Sequence, residues 1–185
     1  MRLLHGGSVH GCWPTTFYVL FFLQVGSRKV YSAGVTPCPD ERWMKQVARN
    51  VTMDGWGFLQ GQRYLILDRD SKFCAAFRDL IQRAGVKLRR LPPRSPNLNA
   101  HAERFVRSLK EECLSRLLLF GEAGLRRALG EYVAHYHAER NHQGKANQLL
   151  FPSRWEAPTP AASAGLVGCE QRLGGLLKFY RRRAA

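Results

Sequence analysis

Apolar and polar positions follow two different periods along the chain, and the change of period separates predicted strands from predicted helices. Residues 15–25, TTFYVLFFLQV, are aromatic and β-branched, which predicts a strand, and residues 28–35 predict a second strand that pairs back on it. Apolar residues then recur at helical spacing from Asp40 to about Met53. Asp40 and Glu41 lie at the start of this segment, where acidic side chains favour a helix N-terminus.

The middle of the chain predicts short strands that alternate with helices. The predicted elements are a strand at 64–67, a helix at 71–84, a strand at 86–88, a proline-rich loop at 91–98, and helices at 99–118 and 122–140. The chain becomes irregular after Asn141, and its basic tail predicts a small strand or helix. The order of elements indicates an α/β fold with a mixed β-sheet flanked by helices, opening on a hairpin.

The charge balance points to a polyanionic partner. Lys and Arg number 29 against 14 Asp and Glu, which leaves a formal net charge of +15 in 185 residues. A basic excess of this size is the electrostatic footprint of phosphate binding, and nucleic acid is the commonest such partner. The alternative is a ribosomal-type or merely soluble basic protein. The basic residues are clustered, at Arg89, Arg90 and Arg94, at Arg104, Arg107 and Lys110, and at Arg181 to Arg183.

Cysteine and histidine positions argue against a zinc or disulfide scaffold. Five cysteines are scattered without a CxxC pair, so reduced thiols in a cytoplasmic protein are expected. His135 and His137 stand two positions apart on a predicted helix and therefore point apart, which disfavours a zinc site with His142. The apolar run 17–25 has about half the length that spans a bilayer, so we expect a buried strand and no membrane partner.

Two stretches carry acidic residues in positions suited to metal chemistry. In YLILDRDSKF (64–73), Asp68 follows directly after a short buried strand, where α/β proteins commonly place their functional groups. In SPNLNAHAERFVRSLKEECL (95–114), Glu103 shares one helical stripe with Arg107 and Lys110. This stripe is explained if the carboxylate binds a divalent metal and the two cations bind DNA phosphates. The alternative is structural: Asp68 caps the helix that begins near Ser71, and Glu103 pairs with Arg107.

Three motifs together resemble the catalytic domain of retroviral-type integrases and bacterial insertion-element transposases. They are DRDSKF, NAHAE about 35 residues later, and HYHAERNHQG at 135–144. The resemblance covers roughly residues 15–155, which leaves an unmatched segment at 1–14 and a basic C-terminal tail at 156–185. It implies a ribonuclease H-like fold, DNA as the partner, and either a homo-oligomer or a partner transposase subunit.

The same resemblance implies roles for individual residues. Asp68 and Glu103 would be the catalytic metal ligands for Mg²⁺ or Mn²⁺, the hard cations that carboxylates suit. Asp70 would be a neighbour of the site. The implied reaction is DNA strand cleavage and strand transfer by two-metal phosphodiester chemistry. The implied DNA contacts are Arg94, Arg107, Lys110 and Arg140.

The chain departs from the family at its start. The family has a first Asp on the opening strand, whereas no Asp or Glu precedes Asp40 in this sequence. His5 and His10 are the alternative donors, but neutral imidazole is a poor ligand for Mg²⁺. We therefore expect an N-terminally truncated integrase core that keeps the fold and DNA affinity but is impaired in strand transfer. The alternatives are a non-catalytic DNA-binding remnant and, less favoured, a ribonuclease H-like nuclease acting on its own.

Overall fold

The computed structural model describes residues 2–10, 13–92, 99–152 and 167–182, with side chains at 15–92, 99–152 and 167–181. The elements in chain order are β1 Arg2–His10, β2 Trp13–Leu23, β3 Val30–Thr36, α1 Glu41–Thr52, β4 Tyr64–Leu67, α2 Ala75–Arg83, β5 Lys87–Arg90, α3 Ala100–Glu112, α4 Gly121–Ala138, β6 Val167–Arg172 and β7 Leu177–Arg182. This order confirms the predicted α/β class. No helix within the described residues is long and apolar enough to cross a bilayer.

The first three strands form an antiparallel sheet in the order β1-β2-β3. The predicted hairpin is therefore present, but β1 adds a strand over residues 2–10, where the sequence shows little pattern. Its backbone is ordered by pairing along β2, with Arg2 opposite Phe21 and His10 opposite Trp13. This segment, which contains two glycines, is a weak strand former by itself, and it forms a strand because it pairs with β2.

Strand β2 buries side chains on both of its faces. Val19 and Phe21 pack into one apolar core with α3 and α4, and the Phe21 ring lies 5.0 Å from the ring of Phe105. Leu20 and Phe22 point the other way into a second core with α1, α2 and β4. Successive side chains of a strand alternate between faces. The nearly continuous apolar run that the sequence shows is therefore what a strand covered on both sides requires.

Strands β4 and β5 form a parallel pair, with Tyr64 opposite Lys87 and Leu67 opposite Arg90. Among the described residues both strand directions occur, but in separate sheets: β1-β2-β3 and β6-β7 are antiparallel and β4-β5 is parallel, so the mixed sheet predicted from the element order is not seen as one sheet. Leu67 is fully buried in the second core. The carboxyl end of β4 therefore carries the chain directly from the core to Asp68.

Helix boundaries differ from the predicted ones where local turns replace the first or last turn of a helix. Helix α1 begins as predicted, and the Asp40 side chain accepts a 2.7 Å hydrogen bond from the Trp43 backbone amide. Helix α2 begins at Ala75 instead of residue 71, because turns around Asp70 precede it. Helix α3 ends at Glu112 instead of residue 118, and a separate 3₁₀ turn follows at Leu114–Arg116.

The C-terminal basic segment is an antiparallel hairpin, β6-β7, that docks on the α4 side of the protein through Arg172 and Leu177. Arg172 donates to Glu139 from Nε and Nη2, at 2.9 and 2.6 Å, and to Glu131 from Nη1 at 2.7 Å. Leu177 of β7 is buried in the core that contains α4. The sequence alone left strand and helix open for this tail, because the partners that order it lie on a distant helix.

We predict that Arg172→Gln lowers the free energy of unfolding by about 1–3 kcal/mol, since Glu139 then loses the hydrogen bonds to its charged partner in a half-buried position. Urea unfolding followed by circular dichroism measures this change. Arg181→Gln is the matched control, because Arg181 pairs with Glu170 within the hairpin only. Equal stability of the two variants would contradict the assigned role of Arg172.

Candidate functional site

Asp68 lies directly after β4 and is half-buried. Its Oδ1 accepts a 3.2 Å hydrogen bond from the Asp70 backbone amide, and Asp70 Oδ1 accepts one of 2.9 Å from the Lys72 amide. These consecutive side-chain turns are what short acidic residues favour after a strand. The structure does not place Asp68 at the start of α2, where Cys74 occupies the N-cap position without a side-chain bond. The capping interpretation of Asp68 is therefore wrong.

The turn after β4 lies beside the β1-β2 hairpin. Lys72 forms an ion pair with Asp70 at 3.4 Å, and its ammonium group lies 5.1 Å from the centre of the Tyr18 ring. Tyr18 of β2 stands opposite His5 of β1 in the backbone register. Position 5 of β1 is therefore paired with the β2 residue, Tyr18, that contacts Lys72 in the turn after β4. Asp70 has a local cationic partner, which fits its interpretation as a neighbour of the site.

Glu103 lies in the first turn of α3, on a face that differs from the buried one. The buried residues of α3 are Ala102, Phe105, Val106 and Leu109. Because successive residues are about 100° apart around a helix axis, Arg107 and Lys110 share the face of Glu103. Both cations are exposed, whereas Glu103 is half-buried.

The elements that carry the two carboxylates border the same cavity but pack into different apolar cores. Ile66 of β4 and Ala102 of α3 line the same cavity of about 490 Å³, and they precede Asp68 and Glu103 by two positions and one. Within the described residues, however, no group of three His, Cys, Asp or Glu side chains is placed to hold a metal ion. The carboxylates of Asp68 and Glu103 are suitable ligand types for Mg²⁺ or Mn²⁺, but two carboxylates are fewer than a two-metal centre needs.

Arg140, a predicted DNA contact, is held from inside the protein. Its Nε and Nη2 donate to Glu112 at 3.0 and 2.7 Å, and the Tyr132 hydroxyl donates to the same carboxylate at 3.1 Å. Burial raises the pKa of Glu112, but the bonds and charge of Arg140 outweigh burial and leave that pKa below its ordinary value. Arg140 therefore joins the ends of α3 and α4. Arg94, another predicted contact, lies outside the described residues.

The three histidines of HYHAERNHQG have separate structural partners. His135 Nδ1 lies 2.9 Å from Glu139 Oε2, and His142 Nε2 lies 2.8 Å from the carbonyl oxygen of Tyr136. His137 Nε2 accepts a 2.9 Å hydrogen bond from the Val30 backbone amide, which requires a neutral ring. This motif therefore fastens the end of α4 to the sheet, a role that its sequence resemblance did not indicate.

Comparison with known proteins identifies part of the chain. Residues 84–148 match the family model of the integrase core domain. The matched segment runs from the end of α2 through α4 and contains Glu103, Arg107, Lys110 and Arg140, whereas Asp68 lies before it. No curated protein matches the chain. The integrase-type resemblance is thereby confirmed, and the α/β architecture agrees with the ribonuclease H-like fold that it implies.

We predict that the free energy of unfolding falls as the pH drops from about 7.5 to about 5, by up to about 1.4 kcal/mol per pH unit for each proton taken up. The pKa of His137 is lowered by burial and then by Lys29 and His142, and the pKa of His142 is also lowered, chiefly by burial. As the pH falls, the unfolded chain therefore binds protons at these histidines at a higher pH than the folded chain does. The stabilisation is complete above the ordinary histidine pKa of about 6.5 and is lost as the pH falls through it.

Thermal unfolding across this pH range checks that dependence. In His137→Gln the amide oxygen can still accept from Val30, but no proton binds, so we expect the slope to decrease by about one proton. A wild-type melting temperature that is constant over the range would contradict the prediction.

Proposed function

We propose that this chain, which contains an integrase core domain, binds DNA through the exposed face of α3 and is impaired in phosphodiester transfer. The observation that carries the proposal is the arrangement of Glu103, Arg107 and Lys110 on one solvent-facing side of α3 within the matched segment. The match to the integrase core domain implies a family whose activity is polynucleotidyl transfer in DNA integration. Arg94 and Arg140 remain proposed as further DNA contacts, and a homo-oligomer or a partner transposase subunit as the assembly.

Electrostatics supports the DNA-binding part of the proposal. Arg107 and Lys110 are exposed, and the described residues contain no carboxylate in an ion pair with either of them. Both cations are therefore free to neutralise phosphates and release counterions, the term that dominates affinity for nucleic acid. The net charge of +15 adds a long-range attraction that speeds association.

The acidic side of the site supports the impairment. When bound, a divalent metal pair would activate the attacking oxygen and stabilise the leaving one. Asp68 and Glu103 are the residues that would hold it, but the opening strand β1 contains no acidic residue. Loss of one anionic ligand out of three weakens metal binding and disturbs its geometry. A non-catalytic DNA-binding remnant is the second candidate function, and the composition of β1 favours it.

We predict that Arg107→Gln combined with Lys110→Gln weakens binding to a short fluorescein-labelled DNA duplex. The slope of log affinity against log salt should decrease by about two between about 50 and 200 mM salt, because two phosphate contacts are lost. Fluorescence anisotropy measures both quantities. Arg127→Gln, an exposed substitution on α4 outside this face, is the control. Failure of the wild-type chain to bind the duplex would overturn the DNA-binding proposal.

We predict that the wild-type chain binds Mn²⁺ weakly and that His5→Asp strengthens binding at least about tenfold, since position 5 stands opposite Tyr18 in the backbone register and an aspartate there would add a third anionic donor. Isothermal titration calorimetry measures this change. His10→Asp adds the same charge at the far end of β1, opposite Trp13, and should have little effect. Efficient joining of a cut-end oligonucleotide by the wild type in Mn²⁺, abolished by Asp68→Ala or Glu103→Ala, would show that the chain is not impaired.

A further inference from the structure

A second cationic surface lies on a different side of α3 and forms a cavity of about 690 Å³. The cavity opens between α3, the segment that follows α4, and the turn between β2 and β3. Its described lining contains no Asp or Glu. The charged and titratable residues of the lining are Arg28, His101, Arg104, Arg140, His142 and Lys145.

Most of this positive charge has no carboxylate partner. Arg140 is paired with Glu112, but Arg28, Arg104 and Lys145 form no ion pair with any carboxylate in the part of the chain that the structure describes. Lys145 Nζ donates to the backbone carbonyl of Gly26 at 3.1 Å. Converging cations without counter-charges repel one another, and an anion in the cavity would relieve this repulsion.

Arg28 contributes an unsatisfied donor to the same place. Its Nη1 atom is buried and has no hydrogen-bond partner among the residues that the structure describes. The residue lies in the β2-β3 turn with a φ of 65°, a conformation that a non-glycine residue rarely adopts. Buried guanidinium N–H groups are almost always paired, and arginine can only donate. The missing partner must therefore be an acceptor, and the surrounding charge makes an anionic acceptor the favoured one.

The cations come from separate elements and meet across the cavity. Arg104 Nη1 lies 3.9 Å from the position that a Cβ atom on Gly144 would occupy, so its side chain reaches from α3 to the segment after α4. The field of these cations also acts on the neighbouring imidazoles. The pKa of His101 is lowered by burial, then by Arg28, then by Arg104. The cavity is therefore a built concave site with concentrated positive potential.

The cavity is distinct from the face proposed to hold the metal and the first DNA contacts. At about 100° per residue, His101, Arg104 and Ser108 point about 120° away from Glu103, Arg107 and Lys110 around the α3 axis. The buried residues of α3 occupy the remaining third. A DNA strand that lies across the exposed part of α3 would thus meet cations on both sides of the helix.

We propose that this cavity binds a phosphate group of the DNA backbone, as a contact separate from the Arg107 and Lys110 face. The proposal rests on the DNA binding proposed above and adds a defined phosphate site to it. Arg104 and Lys145 contact the phosphate oxygens, and Arg28 donates its buried N–H. A free phosphate or a nucleotide would offer the same chemistry, and the experiment separates these sources.

The test uses the full chain and a labelled duplex in a salt titration. Arg104→Gln should weaken binding about five- to tenfold at low salt and decrease the salt slope by about one. Because the two faces are separate, its effect should add to that of the Arg107 and Lys110 double substitution. Arg127→Gln removes the same charge outside the cavity and is the control. Lys145→Gln is a second cavity variant, and circular dichroism melting verifies that each protein is folded.

Inorganic phosphate at millimolar concentration forms the second arm. It should shift the imidazole NMR signals of His101 and His142 in the wild type and leave them unshifted in Arg104→Gln. If the wild type binds DNA but both folded cavity variants match Arg127→Gln in affinity and slope, the cavity proposal is overturned while the proposed function stands. If phosphate shifts the imidazoles but the cavity variants keep full DNA affinity, the ligand is a free phosphate and the DNA assignment is wrong. If the wild type does not bind DNA, the DNA-binding function proposed above is wrong, and the cavity proposal that rests on it is wrong with it.

Discussion

Burial of both faces of β2 is the constraint on which the other features of this structure depend. Phe21 binds β2 to the core of α3 and α4, while Leu20 and Phe22 bind it to the core of α1, α2 and β4. Each fully buried side chain of this kind contributes about 1.5–3 kcal/mol. One strand therefore joins the core of β4, the strand that precedes Asp68, to the core of α3, the helix that carries Glu103.

The orientation of α3 follows from its apolar residues, and its chemistry follows from that orientation. Phe105 and Leu109 are almost completely buried, whereas same-face ion pairs on an exposed helix contribute only about 0.2–0.5 kcal/mol each. Packing therefore decides which residues face solvent. The two exposed thirds of the helix are both basic, one beside Glu103 and the other at the cavity with Arg104, and this explains how a small helix can offer two separate surfaces to a polyanion.

The segment 135–144 shows how a motif that is shared with a family can have a structural role. Arg140 and Glu112 join the ends of α4 and α3, and His137 joins α4 to Val30 of the sheet. These contacts hold the residues after α4 where they close the basic cavity. The same joint places neutral imidazoles in the interior, so that the stability of the fold and the charge around the cavity both depend on pH.

Local patterns along the chain were sufficient for some features and insufficient for others. Period and propensity indicate β2, β3, α1, β4 and α4 within a few residues and the start of α3, because apolar spacing and the Asp40 cap act over short distances. The stripe of Glu103, Arg107 and Lys110 can likewise be read from spacing on a helix. Strand β1, the Arg172 clamp and the cavity around Arg28 could not be predicted in this way. Strand β1 has a weak pattern of its own and forms by pairing with β2. The Arg172 clamp and the cavity require residues that are far apart in sequence to meet in the folded chain.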